Sequence, residues 1–146
     1  MTAIFAVDTN CMIAAIAAWD KRHAEASAEI RVRLGRGEQM TIAVHALAEA
    51  YSVLTRLPAP YRLAPRIAYG FLESTFLARG SVFALDAPAH IGVVQEAAED
   101  EISGGRIYDA IIGECARQAG ASVLLTFNRR HFDPPPEGVT IIEPSA

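Results

Sequence analysis

Three carboxylates lie far apart in the chain, at positions an α/β fold could bring to one place: Asp8, Glu49 and Asp109. Asp8 ends the apolar run Ala3–Val7 and opens Asp8-Thr9-Asn10. Glu49 lies near the start of an expected helix, His45–Leu57, and Asp109 falls in the first turn of another, within Ile107-Tyr108-Asp109-Ala110-Ile111-Ile112. Together such acids would suit a hard divalent cation: Mg²⁺ takes oxygen ligands, keeps several of its waters, and uses a few carboxylates alongside a substrate phosphate. A cation so held can acidify water and offset the charge that builds on a phosphate under in-line attack. Each acid alone has a plainer reading. Asp8 could close a strand in an Asx-type turn. Glu49 shares a helical stripe with His45, Ser52 and Arg56 that could face solvent. Asp109 would be favoured by the helix dipole wherever it sat in a first turn. Their joint placement, and the apolar surroundings of Asp109, point to a site. Gly113 and Ala116, one and two turns after Asp109, would leave room beside it for metal and phosphate.

The elements that must position these residues can be read from hydrophobic runs and their punctuation. Short strands are expected at Ala3–Val7, Met40–Val44, Ser81–Leu85, Ser122–Thr126 and Val139–Ile142. Helices are expected at Met12–Ala18, His23–Leu34, His45–Leu57, Arg66–Ala78, Pro88–Asp100 and about Tyr108–Ala119, with Gly35, Pro58, Gly80 and Gly120 as stop signals. Asp86 reads as the N-cap of the helix that follows it, and Asp133-Pro134-Pro135-Pro136 forces a loop. Short apolar strands alternating with helices predict an α/β domain with a mainly parallel sheet of about five strands. Such sheets bind ligands at the carboxyl ends of their strands. That rule directs attention to Asp8, to the helix after the second strand, and to Thr126–Asn128.

Composition sets the frame. The chain of 146 residues, 51% hydrophobic and without repeat or linker, predicts one domain over 1–146 with its own core. It lacks a membrane-length apolar stretch and a signal-peptide pattern, so a cytoplasmic protein is expected. Cys11 and Cys115, with no CxxC pattern, read as small buried hydrophobes. The net charge of −4 is unusual for a nucleic-acid binder, but the acids bunch at Glu96, Glu99, Asp100 and Glu101, a run expected to be a solvated helix end. Twelve of the 13 basic residues are arginine, a type suited to bidentate phosphate contacts, although compositional bias would give the same pattern.

With these residues in place the chain resembles the PIN-domain nucleases, and within them the VapC-type toxins of bacterial toxin–antitoxin pairs. The resemblance covers nearly the whole chain and rests on four motifs in order. They are Asp8-Thr9-Asn10, the Ala48-to-Pro58 segment with Glu49, Tyr108-Asp109-Ala-Ile-Ile-Gly113 with the Ala116…Gly120 helix end, and Leu125-Thr126-Phe127-Asn128-Arg129-Arg130-His131-Phe132. It implies a three-layer α/β/α fold and a Mg²⁺- or Mn²⁺-dependent endoribonuclease in which Asp8, Glu49 and Asp109 are the metal-binding acids. Asn128 matches a fourth position that is often Asp; here it is neutral, which weakens the expectation of a second metal. Asn10 and Thr126 match polar positions that hold a water or an acid in place, and Arg129 and Arg130 are the first candidates to contact RNA. His131 is placed in a segment that packs under the last loop, so a structural role is expected for it, and His45 shows no sign of being a general base. Base stacking is expected to be limited, given 8% aromatic content. The partners implied are RNA, an antitoxin whose tail covers the active site, and a second copy in a homodimer. The apolar helices Met12–Ala18 and Arg66–Ala78 are compatible with such a dimer.

Two readings from other classes compete. A non-catalytic PIN-like scaffold would have lost one or more of the three acids, and all three are present. A phosphatase-like hydrolase with a carboxylate nucleophile would carry a second Asp two residues after the first, where this chain has Asn10.

Overall fold

The computed structural model describes residues 2–145 and contains five parallel strands. These are β1 (Ile4–Val7), β2 (Gln39–Ala43), β3 (Gly80–Phe83), β4 (Val123–Leu125) and β5 (Thr140–Ile142). The helices are α1 (Thr9–Ile16), α2 (His23–Gly35), α3 (Val44–Arg56), α4 (Pro65–Leu72), α5 (Ala87–Glu99) and α6 (Arg106–Gln118). The strand order is β3-β2-β1-β4-β5. From β1 the chain steps outward to β2 and β3, then crosses back to place β4 on the other side of β1. The direction of winding therefore reverses between β1 and β4, and the crevice at the carboxyl ends of those two strands is where such sheets bind ligands.

β1 and β4 are apolar throughout because helices bury both faces of the sheet, and β2 adds Met40, Ile42 and Ala43. Phe5, Val7, Met40, Ile42, Leu124 and Leu125 are almost wholly buried, and Met12, Ile30, Leu54, Leu72 and Phe76 close over them from the helices. Cys11 and Cys115 are both buried and unbridged, as expected of small hydrophobes. Arg33, on the core side of α2, is buried and held by Glu29 (2.8 Å) and Glu38 (2.9 Å), so it braces α2 rather than presenting a charge to a ligand. The acidic run at the end of α5 is solvated: Glu96, Glu99, Asp100 and Glu101 are all exposed. Among the described residues no helix is long and apolar enough to cross a membrane.

Several boundaries differ from the sequence expectation, each for a local reason. The first helix begins at Thr9, not Met12, because Asp8 caps it directly: its Oδ1 accepts from the Cys11 N–H at 2.9 Å. The expected helix Arg66–Ala78 divides after Leu72, where Glu73–Leu77 widens into a π-helical turn closed by Ala78 N–H donating to the Glu73 carbonyl at 2.8 Å. β3 stops at Phe83, ahead of Leu85, and Asp86 then caps α5 by accepting from the Ala89 N–H at 2.9 Å. Arg129–Phe132, ahead of the expected proline loop, forms a turn of 3₁₀-helix. The apolar surplus is also redistributed. Met12, Ile13 and Ile16 of α1 are consumed by the chain's own core, whereas Ile67, Tyr69 and Phe71 of α4 remain exposed.

Gly80 begins β3 opposite Met40 of β2, and a Cβ there would lie 2.7 Å from the Met40 carbonyl oxygen and 3.2 Å from its Cβ. Backbone cannot yield cheaply, so Gly80→Ala should destabilise the chain by about 1–3 kcal/mol in urea unfolding. Gly92→Ala is the contrasting case: in α5, with open space around the new methyl, it should be neutral or stabilise by up to about 1 kcal/mol. Equal effects from the two substitutions would show that strand contact at Gly80 is not tight.

Candidate active site

The register of the central strands sets the geometry of the crevice. Val7 pairs with Leu125, and the Asp8 N–H donates to the Leu125 carbonyl at 3.1 Å, so the next residues on each strand, Asp8 and Thr126, emerge side by side. The Thr126 hydroxyl donates to Asp8 Oδ2 at 2.5 Å and in turn accepts the Asn128 N–H at 2.9 Å. Both oxygens of Asp8 are thus anchored, one by the α1 cap and one by Thr126. The carboxylate is nearly fully buried, with 2% of its surface exposed.

Burial of that kind penalises the charged form. It pushes the Asp8 pKa up to about 7 despite the two hydrogen bonds that favour the anion, and the neighbouring charges of Asp109 and Glu49 add to the rise. Asp109, half-buried in the first turn of α6, is also raised, first by burial and then by Glu49, against the opposing pull of His131 and Arg106. The three acids therefore feel one another across the crevice, although they come from β1, α3 and α6. Glu49 lies in the second turn of α3 and is half-buried, its Oε1 accepting from the Thr9 hydroxyl at 2.5 Å.

A cation would relieve this repulsion, and the donor set is all carboxylate oxygen, the ligand type that hard divalent ions take. Among the described residues no three His, Cys, Asp or Glu side chains are close enough to close a ligand cage. An ion that keeps most of its waters does not need one. The residues present fit such an ion.

Other residues fall in less expected places. Asn10 is exposed on α1, and the hydroxyl on Glu49 belongs to its neighbour Thr9. Asn128 is half-buried just beyond Thr126, with its backbone tied to that hydroxyl. Arg129 and Arg130 are exposed in the 3₁₀ turn. His131 does not pack away under the last loop: its side chain is 43% exposed and its Nδ1 lies 3.0 Å from Asp109 Oδ2. Gly113 does not leave room for metal or phosphate either. A Cβ on it would meet Pro136 at 3.0 Å and Phe132 at 3.7 Å, and Ala116 is buried in the core. Gly113 instead lets the proline-rich loop pack down on α6.

Two hollows indent the surface, one of them reaching a site acid. A groove of about 630 Å³ runs between α5, α6 and the 133–137 loop and reaches Asp109 and His131. A smaller one of about 390 Å³, beyond β4, is bordered by Lys21, Arg22, Glu25 and Phe127, with the Arg22 guanidinium 4.6 Å over the Phe127 ring. Neither Lys21 nor Arg22 stands out in the sequence, because nothing local ties residue 22 to residue 127.

The sequence profile of the PIN domain matches residues 5–135. The chain is also 38% identical over 121 residues to Ribonuclease VapC40 of Mycobacterium tuberculosis H37Rv, an alignment covering 83% of this chain and 84% of that one. The chain belongs to the PIN-domain family, alongside the VapC proteins. Solved structures agree on the fold. VapBC2 from Rickettsia felis, bound to a DNA fragment from its promoter, matches with a TM-score of 0.69 at 19% identity, covering 97% of this chain and 99% of that one. Mycobacterium tuberculosis VapC20, a sarcin–ricin-loop-cleaving toxin, matches with a TM-score of 0.69 at 20% identity, covering 94% and 98%.

The raised pKa of Asp8 gives this PIN domain a defined pH dependence. Between the ordinary carboxylate range and about 7, native Asp8 keeps a proton that the unfolded chain has lost, so stability of the metal-free protein falls as pH rises through that window. Below it the unfolded chain is protonated as well and the penalty vanishes. The whole effect is on the order of 4 kcal/mol at most. Asp8→Asn should remove most of this slope, melting higher than wild type at pH 8 and losing that advantage towards pH 4. Parallel melting curves for the two proteins across this range would show instead that Asp8 ionises as an ordinary surface acid.

Proposed function

We propose that this chain is a divalent-metal-dependent endoribonuclease, Mg²⁺ or Mn²⁺ serving as the ion, and the toxin of a toxin–antitoxin pair. The observation that carries the reading is the buried, doubly anchored Asp8 with Glu49 and Asp109 raising its pKa, at the crevice where the sheet's winding reverses. The ribonuclease name of VapC40 and the RNA-loop cleavage named for VapC20 support RNA as the substrate.

When bound, the ion supplies Lewis-acid stabilisation of phosphate charge and a more acidic water. Asp8, Glu49 and Asp109 would hold it, and the chain's own contacts fix how. Thr126 and the Cys11 N–H keep Asp8 from rotating, Thr9 restrains Glu49, and His131 holds one oxygen of Asp109. Pre-set ligands of this kind spare the site reorganisation as the reaction proceeds. Burial of Asp8 excludes competing water from its side of the crevice. Asn128 adds no charge at the fourth position, so the chain itself favours a single tightly held ion. Arg129 and Arg130, exposed beyond Asn128, are positioned to meet the RNA backbone.

The partner is an antitoxin, in keeping with the VapBC2 assembly solved on promoter DNA. A basic side chain from it, set against the three acids, would substitute for the ion through charge-assisted hydrogen bonds. The exposed apolar side chains of α4 are the surface on which a homodimer would be sought.

Asp109→Asn should lower RNA cleavage by at least a hundredfold while the fold persists. It should also reduce the rise in melting temperature that millimolar Mn²⁺ gives the wild type through binding to the native state. Cleavage near the wild-type rate by purified Asp109→Asn protein would contradict the assignment of that acid. Asn128→Asp should increase Mn²⁺ affinity measured by calorimetry and lower the metal-free melting temperature, since a fourth acid adds both attraction for the ion and repulsion without it. Unchanged affinity would place Asn128 outside the ion's reach.

A further inference from the structure

His45 and Tyr108 are distant in sequence and stack on each other, ring centroids 4.6 Å apart and planes inclined by 18°. Each ring adjoins a carboxylate of the site. His45 lies one helical turn before Glu49 on α3, and Tyr108 immediately precedes Asp109 on α6. Because α3 starts directly after β2, the pair sits at the carboxyl edge of the sheet, on the opposite side of the acids from Thr126 and Phe127.

Two features set this pair apart from ordinary helix packing. Tyr108 keeps 42% of its surface exposed although His45 covers part of its ring. The His45 Nε2 is buried and has no hydrogen-bond partner, so the imidazole is not seated there by a polar contact of its own and rests on the stack. An exposed ring one residue before Asp109, backed by a second ring, presents a flat π-surface.

We propose that the His45–Tyr108 stack is a nucleobase platform, on which a base next to the scissile phosphate lies against Tyr108. The proposal rests on RNA being the substrate. Geometry argues for a base there, since the exposed, uncharged Tyr108 ring directly precedes Asp109 in α6. Chemistry argues the same way: base–aromatic stacking accepts any base because each has a π-face. Such a shelf would swing one flanking nucleotide out of line and so bring its phosphate to the acids. This role for Tyr108 is substrate positioning, and it acts in binding rather than in the bond-breaking step.

The test uses the full chain carrying Asp8→Asn, which should leave RNA uncut, with fluorescence anisotropy of a labelled single-stranded RNA of about ten nucleotides, within the span single-strand sites cover. A set of the same RNA with one abasic position moved along it locates the stacked base. Adding Tyr108→Ala should weaken binding on the order of tenfold, as loss of one stacked base does. Tyr108→Phe should bind like the parent. The abasic position that weakens the parent should have no further effect on Tyr108→Ala. Tyr108→Leu keeps apolar volume without a π-face and must behave like Ala, which separates stacking from loss of fold; melting curves accompany each variant. In the wild-type background, Tyr108→Phe should preserve KM for RNA cleavage and Tyr108→Leu should raise it with little change in kcat. Undiminished RNA binding by both Ala and Leu variants, or an abasic penalty that persists in them, overturns the platform; this includes the case in which the shelf serves only a partner protein's side chain. If wild type cuts RNA and that result is found, the platform alone is wrong. If wild type neither binds nor cuts RNA, the substrate reading falls and the platform with it.

Discussion

A carboxylate buried between two parallel strands is the constraint on which this molecule turns. Asp8 has almost no contact with water, yet the chain places two further acids where their charge reaches it, and among the described residues no cation forms an ion pair with it. Buried charge is tolerated when it is paired or coordinates a metal. Hydrogen bonds from Thr126 and the Cys11 amide reduce the penalty without removing it, since the pKa still lies near 7. The metal-free chain therefore stores unfavourable electrostatics at the point where it would bind an ion, and ion binding would release them.

The rest of the fold can be read as support for that arrangement. β1 and β4 are in register so that Asp8 and Thr126 emerge together, and the reversal of winding between these strands opens the crevice above them. The same residue ends β1 and starts α1, which makes the site acid a helix cap as well. The capping reading of Asp8 is thus borne out, and it does not compete with a place in the site. His131 brings a similar economy to Asp109. It offers a polar contact from the surface side, opposing burial and Glu49 in setting that acid's ionisation.

Much of this was legible in the sequence because the informative residues sit at element boundaries. An apolar run that stops at Asp8, a proline after Leu57 and glycines after two helices mark the strand–helix alternation, and the alternation places the acids at one end of the sheet. Family resemblance supplied the order of the motifs. What could not be read depends on contacts between distant segments. No local pattern ties His131 to Asp109, His45 to Tyr108 or Arg22 to Phe127, and each pair exists because α6 packs beside α3 or because a loop after β4 folds back. The space at Gly113 failed for the same reason: small residues on a helix show that something approaches closely, and here it is Pro136 rather than a ligand.

The most direct test of the central claim is an NMR titration of the Asp8 side-chain carboxyl carbon in ¹³C-labelled protein, followed with and without saturating Mg²⁺. A buried acid that is paired by a bound cation should titrate near pH 7 in the metal-free chain and move well below the usual carboxylate range when Mg²⁺ is present. A midpoint near 4 in the metal-free protein, unmoved by Mg²⁺, would contradict the account.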